Sequence, residues 1–133
     1  MKTGKITPNG VVLETHEYKT ITLFTELGID IELIPKSEIP GVHTADIRMQ
    51  GLEWEIKSPK GNGRWLIENT LRRAVKQSCN IILDLRRIKI PMQKCLVEIN
   101  KQFQISKGIK NLKVITKKLL VFKEIKINMY HKL

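Results

Sequence analysis

The sequence has little of what marks membrane-spanning, disulfide-stabilised or base-stacking proteins. No apolar run among its 133 residues approaches the roughly 18 that a membrane helix needs, and the N-terminus lacks the apolar stretch of a signal peptide. The two cysteines, Cys79 and Cys95, stand beside apolar residues, so we expect reduced core thiols rather than a disulfide. Aromatic residues make up 5% of the chain, which argues against single-strand binding mainly by base stacking.

Acidic residues are also scarce. Lys and Arg number 24 against 13 Asp and Glu, which leaves a net charge of +11 and a pI near 9.8. Such an excess most often indicates a nucleic-acid partner, and less often an anionic membrane or an acidic protein. The hydrophobic fraction of 41% is typical of a globular chain. We expect one domain, with its core over residues 14–125 and a linker or loose N-terminus at 1–13.

Hydrophobic periodicity predicts an α/β fold with a mixed central β-sheet flanked by helices. The predicted helices are 14–27, capped at Thr15 and stopped at Gly28, then 65–79 and 91–106. The predicted strands are 29–34, the two halves of a hairpin at 46–57, 80–85, 112–116 and 119–125, the last two joined at Lys117-Lys118. The apolar run at 80–85 is typical of a central strand that is covered on both faces.

The hairpin sequence, DIRMQGLEWEIK, alternates apolar and polar residues around a two-residue turn at Gln50-Gly51. In that register Asp46 faces Glu55 across roughly 4.5–5.5 Å between Cβ atoms, so the two carboxylates can share a cation. Lys57 follows on the same face. The alternative is a solvated hairpin face of mixed charges. The face predicted to be buried holds Ile47, Met49, Leu52, Trp54 and Ile56.

Further charged residues surround the predicted hairpin. Glu17 lies one turn before the apolar Ile21 and is therefore expected to face inward, although a first-turn Glu is also favoured by the helix dipole. Gln77 flanks the apolar stripe of the second helix. The basic residues expected to contact phosphate backbones are Lys60, Arg64, Arg72, Arg73, Lys76, Arg86 and Arg87.

The spacing of Asp46, eight residues and then Glu55-x-Lys57 resembles the signature of the PD-(D/E)XK nuclease superfamily. More narrowly, residues 41–87, with EIKSPKGNG and IILDLRR as their most specific parts, resemble the C-terminal tRNase toxin domains of contact-dependent growth inhibition proteins. The resemblance covers residues 14–125. It departs from the superfamily pattern at Ala45, where the superfamily has proline.

This resemblance implies a restriction-endonuclease-like core and a metal-dependent site. Asp46 and Glu55 would bind a divalent metal, Mg²⁺ in the first place, with Mn²⁺ or Zn²⁺ as alternatives. Lys57 would stabilise developing charge or orient the attacking water, Glu17 would complete the catalytic set, and Gln77 would contact nucleic acid. The implied activity is hydrolysis of tRNA in the cytoplasm of a target cell. The domain would arrive as the C-terminal part of a larger secreted toxin and be neutralised by a cognate acidic immunity protein.

Three alternatives stay open at this point. A ribonuclease can work without metal by using the ribose 2′-hydroxyl with acid and base side chains, for which His16 and His43 are the candidates. A DNA endonuclease of the same superfamily is possible because fold does not determine substrate. A basic nucleic-acid-binding module without catalysis would need the carboxylates only for structure. We expect a monomer, because the basic surface would repel a second copy.

Overall fold

The computed structural model describes residues 2–117 and 125–131. The helices within these residues are α1 (Thr15–Glu26), α2 (Leu66–Ala74) and α3 (Met92–Ile105). The strands are β1 (Ile6–Thr7), β2 (Ile31–Leu33), β3 (Ile47–Met49), β4 (Leu52–Lys57), β5 (Asn80–Asp84), β6 (Asn111–Lys117) and β7 (Ile125–His131). In this described part of the chain, no helix has the length and apolar character needed to cross a membrane.

The strands form one mixed sheet in the order β1 to β7. The pairs β1–β2, β4–β5 and β5–β6 are parallel, whereas β2–β3, β3–β4 and β6–β7 are antiparallel. The predicted mixed α/β architecture is thereby confirmed. Strand β5 is buried along its whole length, as expected for a central strand covered on both faces.

Helices cover the two faces of the sheet differently. On one face, which we call the α1 face, Phe24 packs with Ile56 and Ile82. On the other, the α2/α3 face, helices α2 and α3 pack on β5 and β6, with Leu71 and Ile81 in one cluster. Because side chains alternate along a strand, successive residues within β4, and likewise within β5, point to opposite faces.

Strands β3 and β4 form the predicted hairpin in the predicted register. Gln50 and Gly51 have φ angles of 53° and 80°, as a type I′ turn requires. Leu52, however, was expected to be buried and is 41% exposed. It projects beyond β5, whose pairing with β4 begins only at Glu55. The paired residues of the hairpin are Ile47 with Trp54, Arg48 with Glu53, and Met49 with Leu52.

The N-terminal residues, expected to be loose, contain a short edge strand. The N–H of Ile31 donates to the carbonyl of Lys5 at 2.8 Å, and β1 pairs in parallel with β2. The N–H of Gly4 donates to the Thr25 carbonyl at 2.7 Å. A Cβ atom at Gly4 would collide with the carbonyl of Ile29, so this close approach needs glycine. Two paired residues are too few to show an alternating pattern in the sequence.

The boundaries of two helices differ from those that the periodicity suggests. At the start of α1, the N-cap residue is Glu14 rather than Thr15. Helix α2 ends at Ala74 instead of near Cys79, and the Ser78 hydroxyl beyond it donates to the Glu53 carbonyl at 2.8 Å. A serine that bonds elsewhere in this way competes with continuation of the helix. Cys79 consequently lies in an exposed turn, not in the core, although both cysteines are free as expected and Cys95 is buried.

The C-terminal strand pair differs from the prediction. Strand β6 pairs with β7, from Asn111 opposite His131 to Lys117 opposite Ile125. Residues 125–131 alternate apolar and polar side chains (IKINMYH), and the sequence pattern did not separate them from the preceding apolar run. The predicted strand at 119–125, apart from Ile125, and the turn position Lys118 lie outside the described residues.

Candidate functional site

Asp46 is held directly before β3 by two hydrogen bonds to β4. Its backbone N–H donates to the carbonyl of Trp54 at 3.0 Å, and its carboxylate Oδ2 accepts from the N–H of Ile56 at 2.8 Å. The side chain is only 11% exposed. These bonds place the carboxylate beside Glu55, as the hairpin register predicts.

Glu55 lies in the middle of β4 and is buried, with 4% exposure. Its parallel partner Ile81 belongs to the cluster under α2, so the Glu55 side chain points to the α2/α3 face. Oε1 is fully buried and makes no hydrogen bond within the described residues. Oε2 lies 3.4 Å from Nζ of Lys57. A buried carboxylate oxygen without a partner is uncommon in folded proteins.

Burial and the neighbouring carboxylate make Glu55 hard to ionise. Burial, followed by the negative charge of Asp46 and a hydrogen bond with its side chain, raises the pKa of Glu55 from 4.5 to about 7. The ammonium groups of Lys57 and Lys36 oppose this shift. At neutral pH the carboxyl group is therefore close to its titration midpoint. A further cation beside Oε1 would favour the ionised form.

Lys36, which the sequence analysis does not identify, supplies the second ammonium group. Its Nζ lies 2.8 Å from Oδ1 of Asp46. Burial alone would lower the pKa of Lys36, but the hydrogen bond to Asp46 and the charges of Glu55 and Glu17 outweigh burial and raise it. No spacing rule links Lys36 to the hairpin, because the contact depends on the loop between β2 and β3. That loop is anchored where the N–H of Ile34 donates to the Asp46 carbonyl at 2.9 Å.

Glu17 lies in the first turn of α1, close enough to the site for its charge to act on Lys36. Its Oε1 accepts a hydrogen bond from the N–H of Glu14 at 3.0 Å, which caps the first turn of α1. Helix α1 covers the sheet face opposite to Glu55. Glu17 lines a cleft of about 240 Å³ with His16, Lys57 and Ser58, at the end of β4. Among residues 2–117 and 125–131, no three His, Cys, Asp or Glu side chains form a group that could hold a metal ion.

The predicted basic surface is divided between the two faces of the sheet. Arg86 is committed to a buried ion pair with Asp84 (Nη2 to Oδ2 2.7 Å), on the α1 face. Arg87 lines a cleft with Lys19 on the same side. Arg72, Arg73 and Lys76 belong to the exposed side of α2 and the turn after it, where Arg72 pairs with Glu68 at 3.1 Å.

The other residues that were predicted to contact nucleic acid lie in loops and turns. Lys60 and Arg64 lie in the loop after β4, with the Arg64 guanidinium 4.8 Å above the ring of Trp65. Gln77 lies in the turn after α2 rather than in the helix, with Nε2 3.4 Å from Nδ1 of His43. The two histidines are therefore far from equivalent, since only His16 lines the cleft that contains Lys57.

The donor set of the carboxylate pair suits a hard divalent cation. Mg²⁺ is commonly held by one or two carboxylates, with waters and substrate phosphates as its other ligands. Asp46 and Glu55 supply two such groups. Oε1 of Glu55 is buried and has no hydrogen-bond partner in the described part of the chain, whereas Oδ1 of Asp46 pairs with the Lys36 ammonium. Zinc sites more often include histidine or cysteine ligands, which this pair does not supply. Asp46 and Glu55 thus fit Mg²⁺ or Mn²⁺ best.

Comparisons with known proteins bear on the fold and the family. The profile of the contact-dependent growth inhibition CdiA C-terminal domain matches residues 43–119, more than half of the chain. A solved structure described as a CdiA-CT/CdiI toxin and immunity complex from Burkholderia pseudomallei has a similar fold, with a TM-score of 0.52. The two chains are 17% identical, and the similarity covers 90% of each. No curated protein matches the sequence.

The matched segment includes some but not all of the candidate residues. Asp46, Glu55 and Lys57 lie within residues 43–119, whereas Glu17 and Lys36 precede them. At 17% identity the structural similarity concerns the fold alone. The roles of individual residues therefore depend on the geometry of this chain.

Proposed function

This chain belongs to the family of contact-dependent growth inhibition CdiA C-terminal domains, and on that premise we propose that it is a metal-dependent toxin nuclease. The proposed reaction is hydrolysis of phosphodiester bonds in tRNA, on a PD-(D/E)XK-type site. The observation that supports it best is the buried, incompletely bonded carboxylate of Glu55, next to Asp46 and flanked by Lys57 and Lys36. Burial of an unpaired carboxylate is unfavourable, and a bound cation, with a substrate phosphate as a further ligand of that cation, would compensate for it.

The side chains of the site would have two functions, metal binding and charge stabilisation. Asp46 and Glu55 would hold Mg²⁺, and a bound divalent cation supplies charge neutralisation and Lewis-acid polarisation to phosphoryl transfer. Lys57, whose ammonium lies at the mouth of the site with 29% side-chain exposure, would stabilise the extra negative charge of the transition state. Lys36 would hold the Asp46 carboxylate in place through the ion pair between its Nζ and Oδ1, at 2.8 Å.

The products follow from the bond that breaks. Water adds its oxygen to phosphorus and the bond from phosphorus to the 3′-oxygen breaks, so that one strand keeps a 5′-phosphate. The proton released by water ends on the 3′-oxygen or in solvent, which leaves a 3′-hydroxyl. Because the pKa of Glu55 is about 7 without a bound cation, binding of Mg²⁺ would displace the Glu55 proton below that pH.

A metal-free ribonuclease is the second candidate, because His16 shares a cleft with Lys57 and Glu17. In that mechanism the ribose 2′-hydroxyl would attack phosphorus, with an imidazole as base or acid. The cleft lies at the end of β4 and does not include Asp46 among its lining residues. Substitution of Asp46 therefore separates the two mechanisms.

We also propose a cognate immunity protein as the partner that keeps the nuclease inactive in the producing cell. The similar solved structure is described as a complex of a toxin with an immunity protein. A chain of net charge +11 would be complemented by an acidic surface. As a C-terminal toxin domain, the chain would be delivered by a larger secreted protein and act in the target-cell cytoplasm.

The test is cleavage of total tRNA and of plasmid DNA by purified protein, in Mg²⁺ and in chelator. We expect tRNA alone to be cut, and chelator, Asp46→Ala and Lys57→Ala each to abolish cutting. Cutting of DNA would change the proposed substrate from RNA to DNA and would leave the proposed site unchanged. Equal cutting of RNA in chelator and by Asp46→Ala would refute the metal site and favour His16. No cutting of either nucleic acid would refute the nuclease.

A further inference from the structure

Asp84, which is buried, and Arg86, which is partly buried, form a network that joins β5 to α1. Oδ2 of Asp84 accepts from the Thr20 hydroxyl at 2.6 Å and from Nη2 of Arg86 at 2.7 Å. Oδ1 accepts from Nε and from the backbone N–H of Arg86, at 3.0 and 3.1 Å. Nη2 of Arg86 also donates to the Lys19 carbonyl at 3.0 Å. Each carboxylate oxygen therefore has at least two donors, and the charges of Asp84 and Arg86 cancel locally.

This network forms one wall of a cleft of about 270 Å³ on the α1 face. That volume is below the roughly 300–1,000 Å³ of sites for drug-sized molecules, and it suits a single small group. Hydrogen bonds from the Thr20 hydroxyl to Asp84 and from Arg86 to the Lys19 carbonyl tie this wall of the cleft to α1. The residues that line it are His16, Lys19, Ser58, Asp84, Arg86 and Arg87.

The charge left over in the cleft is positive. Neither the Arg87 guanidinium nor the Lys19 ammonium takes part in an ion pair with any residue that the structure describes. The Ser58 hydroxyl likewise makes no hydrogen bond to the described residues and remains available as a donor. Asp84, the acidic residue of the lining, is already neutralised by Arg86. The cleft thus presents two free cations and a hydroxyl to a small anionic group.

The cleft is continuous with the one that contains Lys57. His16 and Ser58 line both, so the two clefts meet at these side chains. The negative charges nearby, Glu14 and Glu17, line only the Lys57 cleft, and Glu14 lies 3.4 Å from Nδ1 of His16. The positive end of the combined groove is therefore at Lys19 and Arg87.

We propose that the cleft of Lys19, Ser58 and Arg87 is a phosphate-binding subsite, which holds a backbone phosphate next to the one cleaved at Lys57. The ligand is a nucleic-acid phosphodiester, and its assignment to RNA rests on the proposed function. In this arrangement Arg86 is a positioning residue that shapes the cleft, whereas Lys19 and Arg87 contact the phosphate. The basic side of α2 lies on the opposite face and contributes to a separate part of the surface.

The experiment measures binding without cleavage. The protein carries Asp46→Asn and is kept in chelator, and the probes are a fluorescent single-stranded RNA and the matching DNA, titrated by anisotropy at several salt concentrations. The test variant is Lys19→Gln with Arg87→Gln. The control is Lys94→Gln with Lys101→Gln, which removes two exposed charges from α3 on the far face. Both variants have the same net charge.

The test variant is expected to raise the Kd for RNA about tenfold and to lower the slope of log Kd against log salt by about one to two, as loss of phosphate contacts does. The control is expected to change the Kd less than about twofold. Equal effects of the two variants would overturn the subsite, because net charge alone would then account for binding. Lys19→Glu, at an exposed helix position, repeats the test should the double variant fold poorly.

The two proposals fail in different ways. A protein that binds RNA through Lys19 and Arg87 but never cuts it would refute the nuclease and support the subsite. A protein that cuts tRNA while both pairs of substitutions act alike would support the nuclease and overturn the subsite. Tighter binding of DNA than of RNA would still support the phosphate subsite, but would assign the bound phosphodiester to DNA.

Discussion

Glu55 and Asp84 are two buried carboxylates on neighbouring central strands, and their surroundings differ sharply. Asp84 is 2% exposed and receives hydrogen bonds from the Thr20 hydroxyl and three donor groups of Arg86. Glu55 is 4% exposed and lies beside the Asp46 carboxylate and one ammonium, that of Lys57 at 3.4 Å. Its Oε1 has no hydrogen-bond partner among the residues that the structure describes. Hydrogen bonds and the Arg86 ion pair compensate for the burial of Asp84. The burial of Glu55 is compensated less completely.

This difference separates a structural carboxylate from a candidate functional one. Buried charges that serve the fold are paired and hydrogen-bonded. A buried carboxyl that lacks such partners is typical of a functional site, where a bound ion or a catalytic role accounts for it. The comparison predicts that perturbing Asp84's partner affects stability, whereas perturbing Glu55 affects activity.

The largest effect is expected from Arg86→Gln. Removing the guanidinium leaves the Asp84 carboxylate buried and without its charge partner, which should lower the free energy of unfolding by about 3–5 kcal/mol. Arg87→Gln, next in sequence and without an ion pair in the described residues, should stay within about 0.5 kcal/mol. Urea unfolding of both variants measures the difference. Similar losses would show that the Asp84–Arg86 pair does not stabilise the fold as its geometry implies.

The next effect concerns activity. Glu55→Gln should reduce the rate of tRNA cleavage by about 10²–10³-fold, as loss of one charge-stabilising group commonly does. The folded state should be no less stable, because a neutral amide replaces a carboxylate that is costly to bury. Glu53→Gln is the matched control, since Glu53 lies two residues earlier on the same strand with a 54% exposed side chain. Equal activity of the two variants would refute a role for Glu55.

A smaller effect should appear in the pH dependence of stability. The folded protein keeps the Glu55 proton up to about pH 7, whereas the unfolded chain loses it near 4.5, so the folded state binds more protons between these values. Glu55 should therefore make stability fall as pH rises from about 4.5 to 7, by at most about 1.4 kcal/mol per pH unit. The measurement is the difference in unfolding free energy between wild type and Glu55→Gln across this range. A difference that is constant with pH would contradict the raised pKa.

The smallest effect is expected at Lys36. Its ammonium lies on Asp46 and would repel a divalent cation held there, so Lys36→Met should tighten Mn²⁺ binding by about 1 kcal/mol, or about fivefold. The pair is partly exposed, and the substitution should change stability by less than about 1 kcal/mol. Calorimetric titration with Mn²⁺ at pH 8 measures the affinity, with Lys89→Met as the control. Weaker Mn²⁺ binding in Lys36→Met would show that the lysine supports the cation rather than competing with it.

Part of the site was predictable because it is encoded in local periodicity. Alternation along DIRMQGLEWEIK, together with the Gln50-Gly51 turn, is sufficient to set the hairpin register and to place Asp46 beside Glu55. Lys57 follows at a spacing of two. The local pattern was less reliable at its limits, as the exposure of Leu52 shows, because burial there depends on how far the adjacent strand β5 extends.

Other parts of the site depend on contacts between distant segments. Lys36 reaches Asp46 through a loop of irregular structure. Glu17 caps its own helix, and its charge acts on Lys36 from α1. Arg86 and Arg87, adjacent in sequence, differ in their surroundings, because the Arg86 side chain pairs with Asp84 and the Arg87 side chain does not. No periodicity distinguishes these cases.

The sequence by itself therefore determined the hairpin, the pairing of its two carboxylates and the excess of positive charge. Each of these depends on residue type or on a spacing of a few residues, which backbone geometry converts directly into position. The tertiary structure decided which cations meet which carboxylates, and it divided the basic residues between the two faces. Those contacts join segments up to 67 residues apart, as between Lys19 and Arg86, and are formed only when α1 packs on the sheet.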